Sequence, residues 1–235
     1  MRRDTIGELV VWAAGGDDDR GGGDGPLVVL CHGFGAPGDD LVPLAEVLPA
    51  PPRTRFAFPE APLALDGAYG ESRAWWMIDL LRIEMGMRGG RGVDLAGEVP
   101  AGLDAARAKL VAVVDELARR APAARIVLGG FSQGAMLAAD VAARTDMPLA
   151  GLVLLSATLI AEKEWTPLLP RRKGLKVFQS HGTADPLLAY AGAARLRDVL
   201  AGAGLDTRFV PFPGGHEIPR QVLALLGRFL HETLG

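Results

Sequence analysis

The sequence predicts an α/β fold, a mostly parallel central sheet with helices on both faces, and three observations lead there. Apolar runs at 27–31, 126–129 and 149–155 are unbroken by charge, as strands buried on both faces must be. They alternate with helix-period segments at 101–120, 190–203 and 217–234. A strand pattern, a tight turn and an Ala-rich helix pattern succeed one another from 126 to 144.

Taken in order, residues 8–13 read as a first strand. Residues 15–25 hold six Gly and four Asp, which predicts a solvated loop. Asp17, Asp18 and Asp19 lack the regular ligand spacing and closing Glu of a calcium loop, so no metal site is expected. The 27–31 strand ends in His32-Gly33-Phe34-Gly35. Asp39 or Asp40 can cap a short helix through Leu48, which the prolines from Pro49 to Pro52 stop. A short strand over 56–58 precedes Pro59.

Residues 60–100 break the alternation. Trp75, Trp76, Met77, Met85 and Met87 sit among glycines there, which predicts a lid-like or pocket-flanking excursion from one domain spanning 1–235. Leu103, Leu110, Val113, Val114 and Leu117 then share one helix face. Strands at 126–129, 149–155, 174–180 and 207–212 complete the sheet. Residues 159–173 read as a polar, Pro-rich connection. The last helix, 217–234, carries a stripe of Ile218, Val222, Leu225, Leu226, Phe229 and Leu230.

Composition narrows the functions. A net charge of −3 gives no electrostatic case for nucleic acid or for an anionic membrane. The apolar stretch 9–14 is too short for a signal peptide, and no run reaches the ~20 residues of a spanning helix, so no stable membrane insertion is expected. One cysteine, Cys31, excludes an internal disulfide and fits a reducing, cytoplasmic setting. Cys31 ends an apolar strand and reads as a small core residue rather than a nucleophile.

The chemistry centres on Gly130-Phe131-Ser132-Gln133-Gly134. Between a strand and a helix, G-x-S-x-G is a sharp turn that presents its Ser as a nucleophile, and a Cβ at Gly130 or Gly134 would collide. Such a Ser needs a base, and the base needs an orienting acid. Of four His, His216 lies in the loop after the last strand, at the carboxyl edge where Ser132 lies. His32 reads as an organiser of its loop, His181 ends a strand, and His231 falls on the polar side of the last helix. Asp185, in His181-Gly182-Thr183-Ala184-Asp185-Pro186, follows the strand between Ser132 and His216. The order Ser132, Asp185, His216 is the α/β-hydrolase order. The oxyanion of such a site needs two N–H donors, each worth about 3 kcal/mol in the transition state. Gln133 and Phe34 are placed to supply them, and the Phe34 side chain to line the pocket.

These residues resemble the phospholipase/carboxylesterase family of α/β-hydrolases, which includes the acyl-protein thioesterases. The resemblance rests on His32-Gly33-Phe34-Gly35, Pro59-Glu60-Ala61-Pro62, Ala74-Trp75-Trp76, the elbow through Ala135, the 181–186 segment and Gly215-His216-Glu217. It implies a serine carboxylesterase acting on small to medium acyl or aryl esters without a cofactor, and it puts Trp75 or Trp76 near the acyl pocket. Ala135 stands where the family commonly has a second Gly, and Phe34 where small acyl-protein thioesterases often have Leu. A thioesterase or lysophospholipase would use the same three residues, and a dienelactone-type hydrolase would usually carry a Cys nucleophile. A non-catalytic binding module on the same fold would be marked by loss of one of the three, and all are present. The expected partner is a small-molecule ester, and the apolar residues of the excursion would serve a homodimer interface as well as a substrate.

Overall fold

The computed structural model describes residues 1–65, 71–88, 93–122 and 124–235. The parts of the 60–100 excursion at 66–70 and 89–92 lie outside the described residues. The chain runs β1 (Arg2–Ile6), β2 (Leu9–Gly16), β3 (Arg20–Gly22), β4 (Leu27–Cys31), α1 (Leu44–Val47), β5 (Arg55–Pro59), β6 (Leu63–Ala64) and β7 (Arg73–Ala74). It continues α2 (Leu80–Arg88), α3 (Leu103–Arg120), β8 (Ile126–Phe131), α4 (Gln133–Arg144), β9 (Gly151–Leu155) and α5 (Glu162–Trp165). Then follow β10 (Lys176–Gly182), α6 (Tyr190–Gly202), β11 (Asp206–Phe212) and α7 (Arg220–Leu234).

Among the described residues the main sheet has the order β1-β2-β5-β4-β8-β9-β10-β11, with β3 beside β2. From β5 to β11 every neighbouring pair is parallel, while β1–β2 and β2–β5 are antiparallel. The expected α/β-hydrolase architecture is therefore present. Strand β4 is buried throughout and divides its side chains by the period of two. Leu27, Val29 and Cys31 pack with α3 and α4, whereas Val28 and Leu30 pack with α7. Helices thus cover both faces. No helix among the described residues is long and apolar enough to cross a membrane.

Helix α4 is buried on almost every side, and its one carboxylate is fully paired. Asp140 takes Arg107 at 2.7 Å, Arg144 at 2.9 Å and the Trp165 Nε1–H at 2.8 Å. That contact explains why 159–173 is not simply a polar connection. Trp165 and Leu169 are buried there, in α5 and in a 3-10 turn over Leu169–Arg172.

Three other expectations change. The Gly-rich 15–25 segment is ordered by strand pairing, because Asp18 Oδ1 accepts the N–H groups of Arg20 and Gly22, both at 2.8 Å. The 60–100 excursion contains a small hairpin, β6–β7, and the helix α2. The last helix begins at Arg220 rather than 217, since Pro219 disfavours helical backbone at Ile218.

Candidate active site

Strand β8 enters the elbow with no room for side chains beside the turn. A Cβ at Gly130 or Gly134 would overlap the Cys31 carbonyl oxygen at the end of β4. The turn forces Ser132 to φ 52° and ψ −117°, a region L residues seldom occupy. The Ser132 N–H is held by the Leu155 carbonyl at 2.8 Å, and its carbonyl accepts Ala135 and Met136 at the start of α4.

Asp185 and His216 arrive on adjacent strands, β10 and β11, at the same sheet edge. Their loops are stitched together by backbone bonds from Thr183 to Phe212, 2.8 Å, and from Ala184 to Gly214, 3.0 Å. Gly182 permits this approach, because a Cβ there would overlap the carbonyls of Gly214 and Gly215. His216 Nδ1 stands 2.7 Å from Asp185 Oδ2. Asp185 Oδ1 accepts the Leu187 and Leu188 N–H groups at 2.9 and 3.0 Å. Burial pushes the Asp185 carboxyl up, but the His216 ring and the Leu188 and Leu187 donors outweigh it. The carboxyl is held below the usual carboxylate range. The Phe131 ring stands 4.8 Å from the imidazole of His216.

The loop after β4 is fixed by His32. Its Nε2 accepts the Ala61 N–H at 3.0 Å, so the ring proton is on Nδ1, which donates to the Gly33 carbonyl at 2.8 Å. Burial pushes His32 down and keeps it neutral. His32 is thus the loop organiser its position suggested. Among the described residues neither the Phe34 nor the Gln133 backbone N–H donates to a protein acceptor, and both residues line one cavity.

That cavity, about 520 Å³, also takes in Ser132 and His216. Its apolar wall includes Trp76, Ile83, Leu95, Met136, Ile160 and Leu187. Ser132 and His216 face it without a hydrogen bond between them. The two tryptophans separate: Trp76 lines the cavity, whereas Trp75 turns inward, 1% exposed, and donates its Nε1–H to the His32 carbonyl at 2.9 Å. The Gln133 side chain was not foreseen as a partner of this pair. It accepts the Trp75 N–H at 2.9 Å and donates to the Trp76 carbonyl at 2.8 Å. Cys31 is fully buried and burial pushes its thiol well up, which suits packing. Among the described residues no group of three His, Cys, Asp or Glu could hold a metal ion.

Comparison with known proteins places the chain in a family and a fold. The sequence pattern of the Phospholipase/Carboxylesterase family matches residues 22–234. Acyl-protein thioesterase 1 of Neurospora crassa is 29% identical over 216 residues, covering 88% of this chain and 86% of that protein. Acyl-protein thioesterase 1 of Mycosarcoma maydis is 32% identical over 223 residues, covering 86% and 89%. The crystal structure of esterase PE8 superposes with a TM-score of 0.75 at 26% identity, over 95% of this chain and all of the other. That of Zea mays acyl-protein thioesterase 2 gives 0.73 at 23% identity, over 96% and 99%, and bears on the fold alone.

Proposed function

The chain belongs to the phospholipase/carboxylesterase family of α/β-hydrolases, and from that premise we propose that it is a serine carboxylesterase. The observation that carries the reading is the 2.7 Å pair of Asp185 and His216 facing the cavity of a strained Ser132. Ser132 Oγ attacks the ester carbonyl carbon as His216 Nε2 removes its proton. Asp185 accepts from His216 Nδ1, fixes the tautomer and stabilises the imidazolium. The Phe34 and Gln133 N–H groups, without acceptors among the described residues, receive the oxyanion. His216 returns the proton to the leaving alcohol, which departs and leaves an acyl-Ser132. Water, deprotonated by His216, releases the acid and restores Ser132. The contact between Ser132 and His216 forms when substrate displaces solvent, since such bonds commonly tighten only in the complex. Trp76 and its apolar neighbours receive the acyl or aryl group, and Trp75 supports that wall from behind.

Thioester hydrolysis is a second reading, favoured by the names of the Neurospora crassa and Mycosarcoma maydis relatives. It needs the same residues and differs in the leaving group. Hydrolysis of p-nitrophenyl esters and of matched acyl thioesters, with Ser132→Ala as control, tests both. Turnover surviving in Ser132→Ala would overturn the serine mechanism, and a higher kcat/KM for thioesters at every acyl length would favour the second reading.

A further inference from the structure

His216 is tethered to Asp185 through one atom. Its Nδ1 lies 2.7 Å from Asp185 Oδ2, and among the described residues its Nε2 makes no hydrogen bond. A single bond fixes that nitrogen and leaves the imidazole able to rock about it. Phe131 supplies a contact of another kind. It is the last residue of β8, in register with Leu155 of β9. Its ring centroid stands 4.8 Å from that of His216, with the two planes tilted by 52°. Offset or tilted aromatic rings attract at centroid separations of about 4.5–7 Å, and this pair lies near the close end of that range. The Phe131 ring has little room to withdraw. It packs against the core cluster that holds Leu30, Leu155 and Phe212. A Cβ at Gly33 would come 3.2 Å from Phe131 Cδ1, so the loop after β4 also closes on the ring. Phe131, Ser132 and His216 line the same cavity.

We propose that Phe131 is a positioning residue for the base: its ring is the stop against which the His216 imidazole rests, so that Nε2 stays where Ser132 can use it. This rests on Ser132 and His216 acting as nucleophile and base. Asp185 fixes one edge of the imidazole and Phe131 limits its rocking, and the two constraints together define the ring's orientation. Without the aromatic ring the imidazole samples orientations in which Nε2 misses the Ser132 hydroxyl, and proton transfer is lost in proportion. Phe131 transfers no proton itself, so its effect exists only while His216 is present.

The test is a double-mutant cycle of Phe131→Leu and His216→Ala, read as the rate at which a small fluorophosphonate labels Ser132. With His216 present, Phe131→Leu slows labelling about tenfold. In the His216→Ala background the same change slows it less than about twofold, because the group it positions is gone. Equal slowing in both backgrounds would make Phe131 a support of the elbow or the pocket alone and overturn the proposal, as would no slowing in either. Proton NMR of the wild-type protein covers the case of a variant that does not fold. Cross-relaxation between the Phe131 and His216 ring protons supports the proposal, and its absence overturns it. The serine reading fails separately: a wild-type chain unlabelled at Ser132, or one labelled as fast in His216→Ala as in wild type, would overturn that reading and this proposal with it. Equal slowing in the two backgrounds overturns this proposal alone.

Discussion

Gln133 clasps Trp75: its side-chain oxygen accepts the Trp75 backbone N–H at 2.9 Å, while its amide nitrogen reaches the next carbonyl, that of Trp76, at 2.8 Å. The residue after the elbow thus does two things. Its backbone N–H has no acceptor among the described residues at the start of α4, and its side chain locks the cavity wall to the same turn. Gln133→Ala leaves two buried backbone groups unpaired. The expected loss is about 2–4 kcal/mol of stability, read by urea unfolding, with a raised KM for esters as Trp76 loosens.

Asp140 anchors α3, α4 and α5 far from Ser132. Asp140→Ala takes from Arg107, itself only about one-fifth exposed, its buried partner, leaving it the exposed Asp104, and leaves the buried Trp165 Nε1–H without its acceptor. A loss of about 3–5 kcal/mol is expected, measured by denaturation, with kcat per folded molecule unchanged.

Two buried histidines make stability depend on pH. His32 and His181 are both pushed down by burial, so the unfolded chain binds their protons at higher pH than the folded one. Their stabilising contribution is complete above the ordinary histidine pKa of about 6.5. It declines as pH falls below that value toward the lowered folded values, by at most about 1.4 kcal/mol per pH unit for each ring. Urea midpoints at pH 7.5, 6.5 and 5.5 should fall in that order. The fall should be shallower in His181→Gln.

The cavity wall should read acyl length. Ile83 lines the cavity from α2 and is only partly buried, so a charge there can be tolerated by the fold. In Ile83→Asp, hydrolysis of an octanoyl ester is expected to drop about tenfold against an acetyl ester. That matches loss of about two methylenes of apolar burial. Equal effects on both esters would remove α2 from the acyl site.

The sheet and the three residues on its edge were legible because each rests on a local signal. Unbroken apolar runs mark the strands, and the loop after each parallel strand falls on one edge, which puts Asp185, His216 and Ser132 on the same edge. What escaped depends on contacts distant in sequence. The Gln133 side chain binds residues 58 and 57 positions upstream. His181 reaches the Leu188 carbonyl, seven residues on, only through the turn that carries Asp185 and Pro186. Helix α2 is only nine residues long with Gly86 inside it, a weak helix signal, and it leaves Leu80, Leu81 and Met85 exposed. Residues 15–25 read as loop from composition, yet strand pairing reaches residues 15–16 and 20–22 around the turn that Asp18 closes.

Fluorophosphonate labelling with peptide mapping tests the central claim most directly. One adduct per chain, on Ser132, absent from Ser132→Ala and slowed in His216→Ala, is the expected result. An unlabelled protein that still hydrolyses esters, or an adduct on another serine, would contradict it.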